Sequence, residues 1–188
     1  MQVCCTLGMI TEEQALRLKN AGLYAYNHNL DTSKEFYPKI ITTRNYDDRL
    51  KTLRNVRHAG LTVCSGVIIG LGETLDDRVS LLHTYANMDK HPESFPVNAL
   101  VQIEGTPLFG ENNKPVDIWD MGRMIATSRI LMPKTKIRLS AGRKEFTEIE
   151  QSILFMAGAN SIFAGDKLLT AKNQNLNEDK EMFDKLGM

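Results

Sequence analysis

The stretch that decides the fold is Val63-Cys64-Ser65-Gly66-Val67-Ile68-Ile69-Gly70-Leu71-Gly72-Glu73. Its β-branched run predicts a strand, and its Gly-Leu-Gly turn leads into a helix that opens near Thr74. In an extended strand, alternate side chains share a face, which places Cys64, Gly66 and Ile68 together. The glycine predicts open space in front of the sulfur, as a metal or cofactor would need. The alternative is a buried thiol that packs as a small apolar group.

Composition narrows the class of protein before any motif is considered. The 188 residues carry 23 basic and 23 acidic side chains, so nothing favours binding to nucleic acid or to a membrane surface. The apolar runs are too short to cross a bilayer. Three cysteines without paired spacing argue against a disulfide framework. The sequence therefore predicts a protein of a reducing compartment, by default the cytoplasm.

Outward from residues 63–73, a strand followed by a helix recurs about six times along the chain. Helices are predicted over residues 11–22, 46–59, 75–88, 117–131, 147–157 and 178–186. Strands are predicted over residues 23–27, 62–69, 96–103, 136–140 and 161–164, and residues 1–8 are predicted to form a strand followed by a turn. This order predicts a parallel sheet, either a doubly wound open sheet or part of a (β/α)8 barrel. We expect one domain over residues 1–171, followed by a polar tail over residues 172–188 that contains the helix predicted at residues 178–186.

Polar residues gather at the predicted ends of the first two strands, where active sites of parallel α/β folds lie. Cys4 and Cys5 must face opposite ways, so at most one points into a site. Asn27, Asn29 and Asp31 share a face if the extended geometry continues. Two amides and a carboxylate suit sugar hydroxyls or a urea-like group. A turn capped by Asx side chains is the alternative for this segment.

Later strands add three more candidates. Cys64 comes from the third strand, and Asn98 is a lone amide within an apolar fourth strand. A structural hydrogen bond and a ligand contact are equally open for Asn98. Arg138 lies in the middle of the fifth strand, where arginine usually pairs with a buried carboxylate or holds an anion. Residues 70–73 lack the third glycine of a dinucleotide fingerprint, so a nicotinamide site is not predicted.

Read together, these strand ends resemble one family in order and spacing. The segments are Cys-Thr-Leu-Gly at 5–8, Tyr-Asn-His-Asn-Leu-Asp-Thr-Ser at 26–33, Val-Cys-Ser-Gly at 63–66, Asn-Ala-Leu-Val at 98–101 and Arg-Leu-Ser-Ala-Gly-Arg at 138–143. They are similar to the biotin synthase family of radical S-adenosylmethionine enzymes. The resemblance implies part of a (β/α)8 TIM-type barrel of about six βα units, lacking the first two. It also implies sulfur insertion into dethiobiotin.

The resemblance assigns roles to eight residues. Cys4, Cys64 and Arg138 match ligands of a 2Fe–2S cluster, and Asn29 and Asp31 match residues that hold the ribose of S-adenosylmethionine. The implied contacts with dethiobiotin come from Asn27, Asn98 and Thr170. The family uses a 4Fe–4S cluster to cleave S-adenosylmethionine, and a homodimer is implied for the full-length protein.

The departures from the family pattern define the alternatives. The CxxxCxxC motif that binds the 4Fe–4S cluster is absent from these 188 residues, so this chain alone is expected not to start radical chemistry. Val67 stands where the family usually has a second glycine, and Ala171 stands where a second hydroxyl residue often follows Thr170. The leading expectation is the C-terminal portion of such an enzyme. The alternatives are a non-catalytic half-barrel, alone or completed by a partner, and more remotely a lyase or aldolase that uses Arg138 to bind an anion.

Overall fold

The computed structural model describes residues 1–110, 115–165, 167–168 and 171–188. Contacts divide the chain into two compact units, which are described separately. The first unit comprises residues 1–68 and 73–96, and the second comprises residues 69–72 and 97–188. Two strands, β4 (Val67–Ile69) and β5 (Ser94–Ala99), contribute residues to both units.

The first unit follows the predicted order of strands and helices, with one short helix, Tyr37–Ile40, that was not predicted. Its strands are β1 (Cys4–Cys5), β2 (Ala25–Asn27) and β3 (Thr62–Cys64), and its helices are α1 (Glu12–Asn20), α2 (Tyr37–Ile40), α3 (Tyr46–His58) and α4 (Leu75–Ala86). The strands pair in parallel, β1 with β2 and β2 with β3, and Cys64 of β3 pairs with Ser94 of β5. The predicted parallel sheet is confirmed in this unit.

Local sequence sets where these helices begin. Thr11 and Gln14 form a capping box at the start of α1, with the Thr11 side chain accepting from the Gln14 N–H at 3.2 Å. A second capping box, built by Thr74 and Asp77, starts α4 at the predicted position. Each box satisfies backbone donors that the first helical turn leaves without an internal partner.

The second unit continues the same alternation. It contains α5 (Ile118–Leu131), β6 (Lys136–Leu139), a 3-10 turn (Arg143–Glu145), α6 (Glu148–Met156), β7 (Ser161–Ile162) and α7 (Leu176–Leu186). Val97 and Ala99 of β5 exchange backbone hydrogen bonds with Ser140 and Ala141 after β6. β6 in turn pairs with β7 in parallel. A short antiparallel hairpin, β8 (Lys167–Leu168) with β9 (Ala171–Lys172), was not predicted.

The predicted strand over residues 62–69 is interrupted, and the predicted open space at Gly66 is wrong. Ser65 and Gly66 lie between β3 and β4, outside both strands. A Cβ atom added to Gly66 would lie 1.9 Å from the carbonyl oxygen of Pro96. Glycine is required there because the backbone of β5 approaches closely, and not because a ligand needs the space.

Across the described ranges, every helix is too short or too polar to cross a membrane.

Candidate functional site

The register of the first three strands decides which side chains share a face. Cys4 pairs with Ala25, and Asn27 pairs with Cys64. Paired residues of neighbouring strands point to the same side of a sheet, and so do residues two apart along one strand. Cys4, Asn27 and Cys64 therefore lie on one face. Cys5 lies on the opposite face, in register with Tyr26.

The two faces differ in their surroundings. Cys5 belongs to the face of Tyr26 and Val63, which are both buried, and burial raises the pKa of the Cys5 thiol. Cys4 is exposed, whereas Cys64 is buried. The Cys64 thiol donates a hydrogen bond to the hydroxyl oxygen of Ser94, 3.3 Å from its Sγ. Cys4, which the resemblance matches to a cluster ligand, thus lies on the same face as Cys64, and Cys5 does not.

The segment after β2 turns instead of continuing as a strand. The Asn29 side-chain oxygen accepts from the Gly66 N–H at 3.1 Å. Asp31 has a φ of 67°, the left-handed region that a side chain other than glycine seldom adopts. Its backbone is nevertheless anchored, because its N–H donates to Gly66 and its carbonyl accepts from Ile68. The extended geometry assumed for residues 27–31 therefore ends before Asp31.

Arg49 of α3 holds this turn and was not identified from the sequence. Its guanidinium donates to the Asn29 carbonyl at 2.7 Å and to the Tyr37 hydroxyl at 2.7 Å. It also forms an ion pair with Asp31 at 3.0 Å, in which both side chains are 14% exposed. An arginine in the second turn of a helix is common, and no periodic pattern in the sequence indicates that Arg49 contacts the turn at residues 29–31. Only the tertiary arrangement brings it to residues 29–31.

Asp31 is a mostly buried carboxylate in a charged setting. Burial raises the pKa of its carboxyl group, while the Arg49 charge acts in the opposite direction. A carboxylate held in this way is fixed in position, and its oxygens are acceptors for donors such as ribose hydroxyls.

The second unit contains the other two described candidates. The Asn98 side-chain oxygen accepts from the Ala141 N–H at 3.2 Å, so this amide has a structural hydrogen bond. Arg138 of β6 donates to the Ile162 carbonyl at 3.4 Å, and its guanidinium carbon lies 4.9 Å from the centre of the Phe163 ring. Thr170 lies outside the described residues.

The thiols of Cys4 and Cys64 are ligands of the type that the implied 2Fe–2S cluster requires. Two thiols from one sheet face are the ligands that iron–sulfur clusters use. No group of three or more His, Cys, Asp and Glu side chains that could hold a metal occurs in the described ranges. A cluster at Cys4 and Cys64 would therefore need a further ligand of another kind or from another segment.

Comparison with known families divides the chain in two. Residues 1–85 match the Radical SAM superfamily, and residues 96–188 match the Biotin and Thiamin Synthesis associated domain. The first match contains Cys4, Cys64 and the turn at Asn29 and Asp31, whereas the second contains Asn98 and Arg138.

Individual relatives are similar over the whole chain. The biotin synthase of Cytophaga hutchinsonii is 65% identical over 188 residues, which is 55% of that protein's length. The mitochondrial biotin synthase of Arabidopsis thaliana is 62% identical, over 49% of its length. The chain thus spans about half the length of the curated relatives it matches.

Solved structures agree on the fold. Methylornithine synthase (PylB) aligns with a TM-score of 0.79 at 20% identity, covering 100% of this chain and 58% of that one. The FeFe-hydrogenase maturase HydG from Carboxydothermus hydrogenoformans aligns with a TM-score of 0.80 at 17% identity, covering 100% of this chain and 47% of that one. These likenesses confirm the predicted fold class, part of a (β/α)8 barrel. The sequence matches thus show that the chain is similar over its whole length to biotin synthases, with one segment matching the Radical SAM superfamily and the other the Biotin and Thiamin Synthesis associated domain.

Proposed function

We propose that this chain is part of a biotin synthase, an enzyme that inserts sulfur into dethiobiotin by radical chemistry from S-adenosylmethionine. In the overall reaction, two C–H bonds of dethiobiotin are replaced by two C–S bonds. The observation that carries the proposal is the shared sheet face of Cys4, Asn27 and Cys64. The 65% identity to a biotin synthase supports it.

Three residues are proposed as ligands of the 2Fe–2S cluster: Cys4, Cys64 and Arg138. When bound, the cluster would supply the sulfur atom. Cys4 is an exposed thiol, and the thiolate is the form of cysteine that binds a metal. Cys64 is buried beside the hydroxyl of Ser94, which can donate a hydrogen bond to a metal-bound thiolate.

The turn at Asn29 and Asp31 is proposed to bind the ribose of S-adenosylmethionine. Its backbone is already tied to Gly66 and its carboxylate to Arg49, so little conformational freedom is left to lose on binding. Asn27, Asn98 and Thr170 are proposed to contact dethiobiotin. An amide presents both a donor and an acceptor, which matches the N–H and C=O groups of the ureido ring.

The remaining parts of the proposal concern the complete protein. The 4Fe–4S cluster requires cysteines beyond Cys4, Cys5 and Cys64, so we propose that a longer gene product supplies them. We further propose a cytoplasmic homodimer. The division into a barrel part over residues 1–171 and a tail over residues 172–188 is likewise a proposal.

The test uses the full-length product of the native gene, reconstituted anaerobically with iron and sulfide. We expect biotin to form from dethiobiotin and S-adenosylmethionine. The variants Cys4→Ser and Cys64→Ser should lose the visible absorption of the 2Fe–2S cluster, while the matched control Cys5→Ser should retain it. Loss of the cluster in Cys5→Ser but not in Cys4→Ser would overturn the ligand assignment.

Two results would overturn the function itself. One is a loaded protein that makes no biotin. The other is a native gene product without a CxxxCxxC motif, which would favour a half-barrel that binds ligand without starting radical chemistry.

A further inference from the structure

The guanidinium of Arg138 lies against an aromatic ring. Its central carbon is 4.9 Å from the centre of the Phe163 ring, within the range of a cation–π contact. One of its terminal nitrogens donates to the carbonyl of Ile162, the residue before Phe163. The last residue of β7 and the residue that follows it therefore contact the same guanidinium, the first through its backbone and the second through its side chain.

Strand register explains why this contact forms. Arg138 pairs with Ser161 across β6 and β7, and Phe163 follows Ser161 by two residues. Residues two apart share a face while the chain stays extended, so the ring arrives on the side of the sheet to which Arg138 points.

Phe163 is in turn anchored by the chain that follows the β8–β9 hairpin. The side-chain amide of Asn173 donates to the Phe163 carbonyl at 2.7 Å. The next residue, Gln174, accepts from Arg143 at 3.1 Å, and Arg143 is buried. The backbone at the end of β7 is thus tied to a segment that also contacts a buried residue of the second unit.

We infer that Phe163 is a positioning residue for Arg138. Arginine has many rotamers, and its planar group binds with direction only when that plane is held. A ring stacked on one side of the guanidinium limits rotation of its plane. The inference rests on the proposed function, in which Arg138 is a cluster ligand.

The experiment compares Phe163→Leu with two matched variants in the reconstituted full-length protein. Phe163→Tyr keeps the ring face, and Phe183→Leu removes a half-buried ring that meets the Phe155 ring edge to face, with ring centres 5.1 Å apart. The readouts are the electron paramagnetic resonance spectrum of the reduced 2Fe–2S cluster and the rate at which the cluster is lost. Circular dichroism confirms that each variant is folded.

We expect Phe163→Leu to broaden or shift the spectrum and to speed cluster loss about fivefold, the size of one cation–π contact. Phe163→Tyr and Phe183→Leu should match the wild type. An unchanged spectrum and loss rate in Phe163→Leu would overturn the inference, and so would equal changes in Phe183→Leu.

A fourth variant separates this inference from the proposed function. If Arg138→Met leaves the cluster spectrum unchanged, Arg138 is not a ligand and the proposed role fails. If Arg138→Met changes the spectrum and Phe163→Leu does not, only the positioning role of Phe163 fails.

Discussion

The ion pair between Arg143 and Asp179 should be the most sensitive point of the second unit. The Asp179 carboxylate accepts two hydrogen bonds from the guanidinium, at 2.7 and 2.6 Å. The two side chains are only 2% and 3% exposed, so water cannot replace either partner. Asp179→Asn removes the negative charge with little change in shape and leaves a buried cation uncompensated. We expect the free energy of unfolding to fall by about 3 kcal/mol or more.

An exposed pair on the same helix provides the control. Lys185 of α7 contacts Glu148 at 2.8 Å, with 62% and 49% of the two side chains exposed. Lys185→Ala should cost far less than Asp179→Asn because water screens the pair and solvates the remaining carboxylate. Urea unfolding followed by circular dichroism measures both free energies. Hydrogen exchange of the α7 amides locates the loss.

A double variant tests the physical cause. In Arg143→Met/Asp179→Leu no charge is left buried, so the protein should recover most of the stability lost in Asp179→Asn. The reasoning is refuted if Asp179→Asn costs no more than Lys185→Ala. It is also refuted if the double variant is as unstable as the single one.

Two further predictions concern the first unit and the close approach at Gly66. Burial, with the nearby charges of Arg49 and Arg44, lowers the pKa of His28 from 6.5 to about 4. The unfolded chain therefore takes up a proton first as the pH falls from 6.5 towards 4, and the free energy of unfolding should drop by up to about 3 kcal/mol. Urea midpoints across this range should show a flatter slope for His28→Phe, and an unchanged slope would contradict the assignment. Gly66→Ala should cost about 1–3 kcal/mol because its Cβ would meet the Pro96 carbonyl oxygen at 1.9 Å. The control is Gly122→Ala, whose Cβ would meet nothing closer than 3.9 Å and which should stabilise α5 by about 0.5 kcal/mol. Thermal unfolding compares the two variants, and equal effects would count against the close-approach argument.

Helices were predicted better than strands. Helix α6, predicted over residues 147–157, runs from Glu148 to Met156, and α3 begins at the predicted residue, Tyr46. Such helix ends are marked by caps, here Thr147, and by apolar periodicity. These signals act within a few residues, so the sequence displays them directly. Strand ends were less accurate: β5 is Ser94–Ala99 and not 96–103. A strand ends where its neighbours stop pairing, which depends on residues far away in the chain.

The candidate site shows the same limit. Cys4, Asn27 and Cys64 could be selected from residue type and position at strand ends. Arg49 could not, because its contacts with Asn29 and Asp31 join residues 20 and 18 positions apart, and no short-range pattern links them. The stacking of Phe163 on Arg138 likewise depends on the register of β6 and β7.

The sequence by itself determined the order of strands and helices, the helix caps and the chemical types available at the strand ends. These follow from propensities and hydrogen bonds between near neighbours. The tertiary structure alone decided the left-handed turn at Asp31, the requirement for glycine at position 66 and the burial of Arg143 with Asp179. Each of these depends on which distant backbone or charge approaches, and that is known only once the strands are paired and the helices packed.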